Sequence, residues 1–233
     1  MEVLIIIPTY NEKENIIPLI SYIFKINPDF LILVVDDNSP DGTAAAVKEL
    51  QNNFPRLELK QRAGARGFGR SYLEGFKEAL QNRNQAVIMM DADFSHDARE
   101  IQEMADKLSE FDLVIGSRYI KGGKIENWSF HRRLLSYFAN FYARVIPGVP
   151  IRDLTTGFMC FRTDVLNKID LNSIRSEGYA FLVELKYKIF KAGFKIYEHP
   201  IIFSERREGQ SKMSFKNIWE AIFLPWKLRF SKN

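Results

Sequence analysis

Short apolar runs alternate with helix-like segments through the first half of the chain, and this alternation restricts the fold more than any other feature. Four of the five runs are almost continuously apolar, which is typical of strands that helices cover on both faces of a mostly parallel sheet. The runs predict strands at 3–7, 31–36, 57–61, 86–91 and 112–117. The helical patterns between them lie at 12–26, 42–53, 68–82 and 97–109. We therefore predict an α/β sandwich.

The second half of the chain predicts longer helices that are rich in aromatic residues. The patterns indicate helices at 129–146, 178–193 and 214–230, and strands at 157–162 and 194–203. The last helix places four large aromatic residues between lysines and arginines, which suits a bilayer interface and also suits packing on the domain. These residues are Trp219, Phe223, Trp226 and Phe230. We predict one domain over residues 1–213 and an amphipathic, membrane-associating helix over residues 214–233.

Charge and cysteine content exclude several classes of protein. The chain has 33 Lys and Arg against 29 Asp and Glu, and its net charge of +4 is too dispersed to indicate nucleic-acid binding. Its single cysteine, Cys160, cannot form an internal disulfide, so we expect a buried thiol and a reducing compartment. The N-terminus does not have the pattern of a signal peptide, and no run reaches the roughly 20 apolar residues of a membrane span. We expect a soluble or peripheral protein.

Polar segments follow four of the predicted strands. They read "PTYNE", "DDNSPDG", "DADFSH" and "GSRY". Because ligands of open α/β sheets bind beyond the carboxyl ends of the strands, we expect these four segments to converge at one edge. Their convergence is better support for a site than any one of them alone.

Two aspartates one residue apart, Asp91 and Asp93, end the apolar run "VIMMDAD". Like charges this close repel unless a cation lies between them, and carboxylate oxygens at a strand end suit Mg²⁺ or Mn²⁺. Such an ion could bridge to the phosphates of a nucleotide. The alternative is a turn in which the carboxylates cap the helix that starts near residue 97.

Three further segments allow a functional and a structural interpretation. Asp36 and Asp37 could accept hydrogen bonds from a ribose or a base, or could serve only in a turn of Asn, Ser, Pro, Asp and Gly. The glycines of "GARGFGRSYLEGF" indicate a helix entry with close packing rather than a phosphate loop. The basic segment 203–215 could close over phosphates or could simply be solvated. The three histidines are too dispersed in sequence to predict a metal site.

Taken in order, these motifs resemble the family 2 glycosyltransferases of GT-A fold. The motifs that carry the resemblance are "IIIPTYNEKENI", "VVDDNSPDGT", "RGFGRSYLEGF", "MDADFSHD", "VIGSRY", "DLTTGF", "GYAF" and "FSERREGQSK". Within that group the chain is most similar to the polyprenol- or dolichol-phosphate mannosyltransferases, from residue 3 to about residue 228. The resemblance implies a GT-A nucleotide-sugar-binding sandwich with a mostly parallel central sheet.

The resemblance also implies roles for individual residues. A nucleotide-sugar site would be formed by Pro8, Tyr10, Glu12, Val35, Asp37, Asp91, Ala92, Asp93, Arg118, Arg206 and Lys212. Asp91 and Asp93 would hold the metal ion. The residues implied in catalysis are Asp93, Arg118, Arg206 and Lys212. The lipid phosphate would be bound by Arg132 and Ser136, with Arg133 as an alternative.

The reaction implied is transfer of mannose from GDP-mannose to a polyprenyl (dolichyl) phosphate, with inversion at the anomeric carbon. A phosphate monoester is already anionic near neutral pH, so it needs positioning by cations more than it needs a general base. The alternatives are a UDP-glucose-dependent transferase and, in another class, a non-catalytic nucleotide-binding scaffold subunit. We expect a peripheral protein on the cytoplasmic face of a membrane, with a membrane-anchoring subunit as a possible partner.

Two departures from the family pattern stand out. Many relatives have a glutamine two residues after the second aspartate, where this chain has Ser95, so water is expected to replace that metal ligand. Many relatives also continue into transmembrane helices beyond the point where this sequence stops.

Overall fold

The computed structural model describes residues 2–204 and 215–231, which form nine β-strands and eight α-helices. The strands are β1 (Val3–Thr9), β2 (Leu31–Asp36), β3 (Leu57–Gln61), β4 (Ala86–Met89), β5 (Leu113–Ser117), β6 (Lys124–Ile125), β7 (Met159–Arg162), β8 (Ile196–Pro200) and β9 (Ile202–Phe203). The helices are α1 (Lys13–Ile26), α2 (Thr43–Leu50), α3 (Phe68–Gln81), α4 (Glu100–Asp106), α5 (Phe130–Val145), α6 (Asp164–Lys168), α7 (Gly178–Lys191) and α8 (Phe215–Phe230).

Seven strands form one sheet in the order β3-β2-β1-β4-β7-β5-β8. β7 is antiparallel to both of its neighbours, and the other strands run parallel to one another. The carboxyl ends of β1, β2, β4 and β5 therefore lie at one edge, together with the start of β7. This arrangement confirms the predicted mostly parallel α/β sheet and places the four polar segments where the sequence predicted them.

Helices cover both faces of the sheet, as the continuous apolar strands predicted. On β1, Leu4 and Ile6 join the core cluster that includes residues of α3, α7 and α8. Ile5 and Ile7 point to the other face, where the cluster includes residues of α1, α2 and α4. Burying such a side chain stabilises a protein by roughly 1.5–3 kcal/mol, so this alternation fixes the register of the central strand. Cys160 lies in the second cluster, fully buried as predicted.

Several predicted boundaries were wrong by a few residues. The predicted strand 194–203 divides in two because β5, its partner, ends at Ser117, and the following residues pair with β6 in a separate two-stranded sheet. The predicted helix 97–109 begins only at Glu100, since Asp97 accepts the backbone N–H of Arg99 in a local turn. The predicted helix 129–146 begins as expected, with the Ser129 hydroxyl accepting the N–H of Arg132.

The C-terminal helix α8 packs on the domain along one side and exposes aromatic side chains on the other. Leu224 and Leu228 are buried against the domain, and the Tyr187 hydroxyl donates to the carbonyl of Leu228 over 2.8 Å. The Trp226 indole donates to the Tyr142 hydroxyl of α5 over 2.9 Å. The opposite side of α8 exposes aromatic rings, including that of Phe223. No helix in the described part of the chain is long and apolar enough to cross a membrane.

Candidate active site

The ends of β1 and β2 are joined by a buried hydrogen-bond network around Asp36. Its carboxylate is fully buried and accepts the Thr9 hydroxyl over 2.9 Å and the Ser39 hydroxyl over 2.6 Å. The Ser39 hydroxyl in turn accepts the backbone N–H of Asn11 over 3.0 Å. These hydrogen bonds allow Asp36 to fix the loops that follow β1 and β2.

Asp37 holds the glycine-rich segment against the same edge. Its carboxylate accepts the backbone N–H of Gly67 over 2.7 Å and pairs with the guanidinium of Arg62. A Cβ atom at Gly67 would lie 2.4 Å from the carboxylate of Glu177, and one at Gly69 would lie 2.8 Å from the ring of Phe181. Close packing requires glycine at Gly69, where the Phe181 ring and the Ser176 carbonyl leave no room, whereas at Gly67 the Glu177 carboxylate could shift.

Glu177 completes this part of the edge, and sequence reasoning missed it. Its carboxylate accepts the backbone N–H of Gly69 over 2.8 Å and pairs with Arg70 at 3.1 Å. Burial raises the pKa of Glu177, and the Gly69 hydrogen bond only partly offsets that rise. The residue is distant in sequence from the glycines, so no local pattern could have indicated it.

The PTYNE segment supplies a ring and a carboxylate beside this network. The guanidinium of Arg66 lies 4.1 Å from the centre of the Tyr10 ring. The Glu12 carboxylate accepts the side-chain amide of Asn15 over 3.0 Å. Pro8 and Val35 are register partners on β1 and β2, and the Val35 side chain is fully buried in the core. Val35 could therefore reach a ligand only through its backbone.

Asp91 and Asp93 lie just beyond the end of β4, at the centre of the edge. The Asp93 carboxylate accepts the backbone N–H of Ser95 over 3.1 Å, and the backbone N–H of Asp91 donates to Nδ1 of His96 over 3.2 Å. The Tyr72 hydroxyl donates to Asp91 over 3.4 Å. Burial and the charge of Asp91 raise the pKa of Tyr72 well above its usual value, so the phenol remains a neutral donor. Between the two aspartates, the Ala92 side chain is buried in the core.

The surroundings of these two carboxylates fit a hard divalent ion. The Asp91 oxygens face the backbone of Gly157, where an added Cβ atom would lie only 3.4 Å from both of them. Oxygen donors at a strand end, approached closely by backbone without a side chain, leave room for ligand oxygens around Mg²⁺ or Mn²⁺. Neither carboxylate caps α4, which begins at Glu100, so the structural alternative of a helix cap is not supported.

Arg118 lies at the end of β5 and is held in a nearly buried ion pair. Its Nε and Nη2 atoms each donate to the Asp153 carboxylate over 2.7 Å, and Nη2 also donates to the Thr155 hydroxyl over 2.8 Å. Burial opposes the charge of Arg118, but the attraction of Asp153 outweighs it and raises the pKa of the arginine. Burial likewise opposes the charge of Asp153, and Arg118 keeps its pKa low.

A cavity of about 520 Å³ opens beside Arg118, between α5 and the small sheet. Two further cations, Lys124 and Arg133, line it together with apolar and aromatic side chains. The other lining residues are Tyr119, Gly123, Ile125, Phe130, Leu134 and Tyr137. A cavity lined by cations together with apolar side chains suits an amphiphilic anion.

Comparison with known proteins adds to this geometry. A family model described as Glycosyl transferase family 2 matches residues 4–170. The chain belongs to that family. A polyprenol monophosphomannose synthase of Mycolicibacterium smegmatis is 43% identical over 97% of this chain and 87% of its own length. An undecaprenyl-phosphate mannosyltransferase of Micrococcus luteus is 37% identical over 95% of this chain and 91% of its own length.

Solved structures support the fold of this family 2 glycosyltransferase. A glucosyl-3-phosphoglycerate synthase from Mycobacterium tuberculosis, crystallised with Mn²⁺, UDP and glucosyl-3-phosphoglycerate, matches with a TM-score of 0.70. The match covers 98% of this chain and 79% of that one at 13% identity. At this identity the similarity applies to the architecture and not to the substrates.

The fold of this glycosyltransferase separates the predicted lipid-phosphate residues. Arg133 lines the cavity, whereas the Arg132 guanidinium lies 4.0 Å from the centre of the Trp128 ring. The Ser136 hydroxyl accepts the Tyr119 hydroxyl over 2.7 Å. Arg206 and Lys212 lie outside the described residues. The geometry thus favours the alternative, Arg133, as the cation of α5 that meets an acceptor, while the role of each residue stays a prediction.

A second group of possible metal ligands forms away from the aspartate pair. The side chain of His199 contacts Glu100 at 2.9 Å and Glu103 at 3.9 Å. These three side chains could hold a metal ion. Sequence spacing did not predict the group because β8 and α4 meet only in the folded chain. A hydrogen-bonded histidine between two glutamates also explains the arrangement without an ion.

Proposed function

We propose that this chain is an inverting transferase that moves mannose from GDP-mannose to a polyprenyl (dolichyl) phosphate. The observation that carries the proposal is the 43% identity, over nearly the whole chain, to a protein named polyprenol monophosphomannose synthase. The site agrees with that chemistry because a carboxylate-rich edge, suited to a metal-bound diphosphate, lies beside a cation-lined, partly apolar cavity.

The donor would bind along the ends of β1, β2 and β4. Tyr10, Glu12 and Asp37 lie where a nucleoside could meet a ring and two carboxylates. Asp91 and Asp93 would hold Mg²⁺ or Mn²⁺, which when bound neutralises the charge of the donor diphosphate. The neutral Tyr72 hydroxyl orients Asp91 without competing for the positive charge.

The acceptor phosphate would meet the cations of the cavity. Arg118 is oriented by Asp153 and Thr155, and Arg133 and Lys124 add charge from two other elements. One phosphate oxygen then attacks the anomeric carbon, and the bond from that carbon to the donor diphosphate breaks. The electron pair leaves with the nucleoside diphosphate, and a single displacement inverts the anomeric centre. The basic segment containing Arg206 and Lys212 would stabilise the negative charge that develops on the leaving group.

Membrane contact would come from α5 and α8 together. Apolar side chains of both helices are exposed, and Phe130, Leu134 and Tyr137 of α5 also line the cavity. The exposed residues include Phe130, Leu135, Phe138, Phe141, Trp219, Phe223 and Phe230. Arg132, Arg144 and Lys227 lie among them in sequence, and lysines and arginines beside exposed aromatics suit an anionic bilayer surface. We propose peripheral attachment on the cytoplasmic face, where an anchoring subunit could also bind.

A donor panel tests the proposal. Purified protein is incubated with Mg²⁺ or Mn²⁺, a polyprenyl phosphate and one labelled sugar nucleotide at a time, and the lipid-soluble label is counted. We expect label from GDP-mannose and its loss with a chelator. Transfer from UDP-glucose instead would establish the alternative donor, and no transfer from any donor despite nucleotide binding would favour a scaffold subunit.

A further inference from the structure

Lys186 on α7 is completely buried, and it is not part of the site described above. Its Nζ atom donates to the backbone carbonyls of Leu154 over 3.0 Å and of Thr156 over 2.7 Å. Lysine is almost never fully buried unless it is paired, because an ammonium group loses strong hydration. A leucine or methionine would fill the same space at lower cost, so this lysine calls for an explanation beyond packing.

The two carbonyls belong to the turn 153–157, and that turn supports both halves of the candidate site. At its start, Asp153 holds Arg118 by two side-chain hydrogen bonds and accepts its backbone N–H over 3.0 Å. At its end, the backbone of Gly157 faces the carboxylate of Asp91. Lys186 therefore fixes the piece of backbone that sets the position of Arg118 relative to the aspartate pair.

Lys186 also belongs to a group of four charges, of which Glu198 alone is only half-buried. Facing it are Asp153 from the turn, Arg118 from the end of β5 and Glu198 from β8. Glu198 accepts the Ser117 hydroxyl over 2.7 Å and the backbone N–H of Asp153 over 3.0 Å, which places it under the same turn. With Lys186 protonated, two cations face two carboxylates and the group is neutral. With Lys186 neutral, the group carries one net negative charge directly behind Arg118.

Burial lowers the pKa of Lys186 to about 7, although Asp153 and Glu198 favour its charged form and Arg118 opposes it. Both forms can donate two hydrogen bonds, so the turn stays anchored whether or not the proton is present. Protonation of Lys186 thus changes the charge behind Arg118 without releasing the backbone.

We propose that Lys186 is a positioning residue that anchors the turn 153–157 and, by its protonation, adjusts the affinity of Arg118 for the acceptor phosphate. The acceptor part rests on the proposed function. For a phosphate of fixed charge, affinity is higher below pH 7, where the ammonium balances the carboxylates, and lower above pH 7, where the group is negative. Replacing Lys186 by an uncharged side chain leaves the negative group at every pH.

The test measures the binding of farnesyl phosphate, a short isoprenyl phosphate, to wild type and to the Lys186→Met and Lys186→Gln variants at pH 6 and pH 8.5. Lys191→Met, an exposed lysine on the same helix, is the matched control. A unit charge about 8 Å from the bound phosphate, at an effective dielectric constant of about 20, changes the dissociation constant at most about thirtyfold. We therefore expect both variants to bind farnesyl phosphate about fivefold more weakly than wild type at pH 6. At pH 8.5 the charge difference disappears, so any remaining weakening reports the lost anchoring of the turn and should be smaller than at pH 6. At any one pH, farnesyl phosphate has the same ionisation state with wild type and with each variant, so its own titration does not affect the comparison.

Lys186→Gln retains a hydrogen-bond donor and so keeps the variant test informative if Lys186→Met fails to fold, which thermal melting detects. Variants that bind as wild type does at pH 6, or that are weakened equally at both pH values, would overturn the proposed role of the proton. Mannosyl transfer from GDP-mannose is measured separately on the same samples. Its absence with the pH-dependent difference in binding intact would count against the proposed function and leave the role of Lys186 standing.

Discussion

The proposed donor end and the proposed acceptor end of the site differ in the charge and burial of their side chains. At the donor end, carboxylates lie at strand ends and accept hydrogen bonds from nearby backbone and side-chain donors, as Asp37 and Asp93 do. At the acceptor end, a buried arginine is held by side chains from distant parts of the sequence, and the surface around it is apolar and cationic. The carboxylates of the first end carry negative charge that would bind a metal ion. The cations of the second end carry positive charge that would bind the phosphate of a lipid.

The largest effect should come from the donor end. We expect Asp93→Asn to reduce turnover roughly a hundredfold or more, because the change removes a metal-binding charge while retaining the shape of the side chain. Turnover is measured with a sugar nucleotide and a polyprenyl phosphate at saturating Mn²⁺, and thermal melting verifies that the variant is folded. Turnover near the wild-type value would remove Asp93 from the donor site.

A change at the acceptor end should act first on stability. Asp153→Asn leaves the Arg118 guanidinium buried without its counter-charge, which costs about 3–5 kcal/mol in comparable buried pairs. Urea unfolding of wild type and variant measures the difference in the free energy of unfolding. Asp97→Asn is a suitable control, because its partner Arg99 is exposed and its pair should contribute little. Equal free energies of unfolding for Asp153→Asn and Asp97→Asn would contradict the expected difference between the buried and the exposed pair.

Two neighbouring arginines of α5 lie in different surroundings. Arg133 lines the cavity, whereas Arg132 lies over the Trp128 ring. We expect Arg133→Ala to raise the KM for polyprenyl phosphate about tenfold, as loss of one charge-assisted contact does, and Arg132→Ala to raise it by about twofold or less. Steady-state kinetics with varied acceptor would show this, and the reverse order would return Arg132 to the acceptor site.

The smallest effect should come from the outer surface of α8. Trp219→Ser together with Phe223→Ser removes exposed apolar area without touching the buried Leu224. We expect a severalfold lower recovery with anionic vesicles in flotation, and unchanged turnover of a short, water-soluble isoprenyl phosphate. The same changes at Leu224 would instead lower the melting temperature. Unchanged flotation would leave α5 as the membrane-binding helix of the proposal.

The donor end was largely predictable from sequence, and the reason is physical. Asp37, Asp91 and Asp93 each follow an apolar strand directly, so the parallel sheet itself brings them to one edge. Arg118 was predicted as well, but only the fold shows that Asp153 and Thr155 hold it. The sequence did not indicate that Lys186 is buried, because a lysine in an amphipathic helix is normally exposed. Contacts between residues far apart in sequence leave no local period or spacing to detect.

The antiparallel strand β7 sets the spacing between the aspartate pair and Arg118. It lies between β4, which leads to the aspartate pair, and β5, which leads to Arg118. Neighbouring strands are about 4.8 Å apart, so this single insertion holds the two strand ends at roughly 10 Å. The spacing between the aspartate pair and Arg118 is therefore set by the backbone hydrogen bonds of the sheet, and loops on either side can vary without changing it.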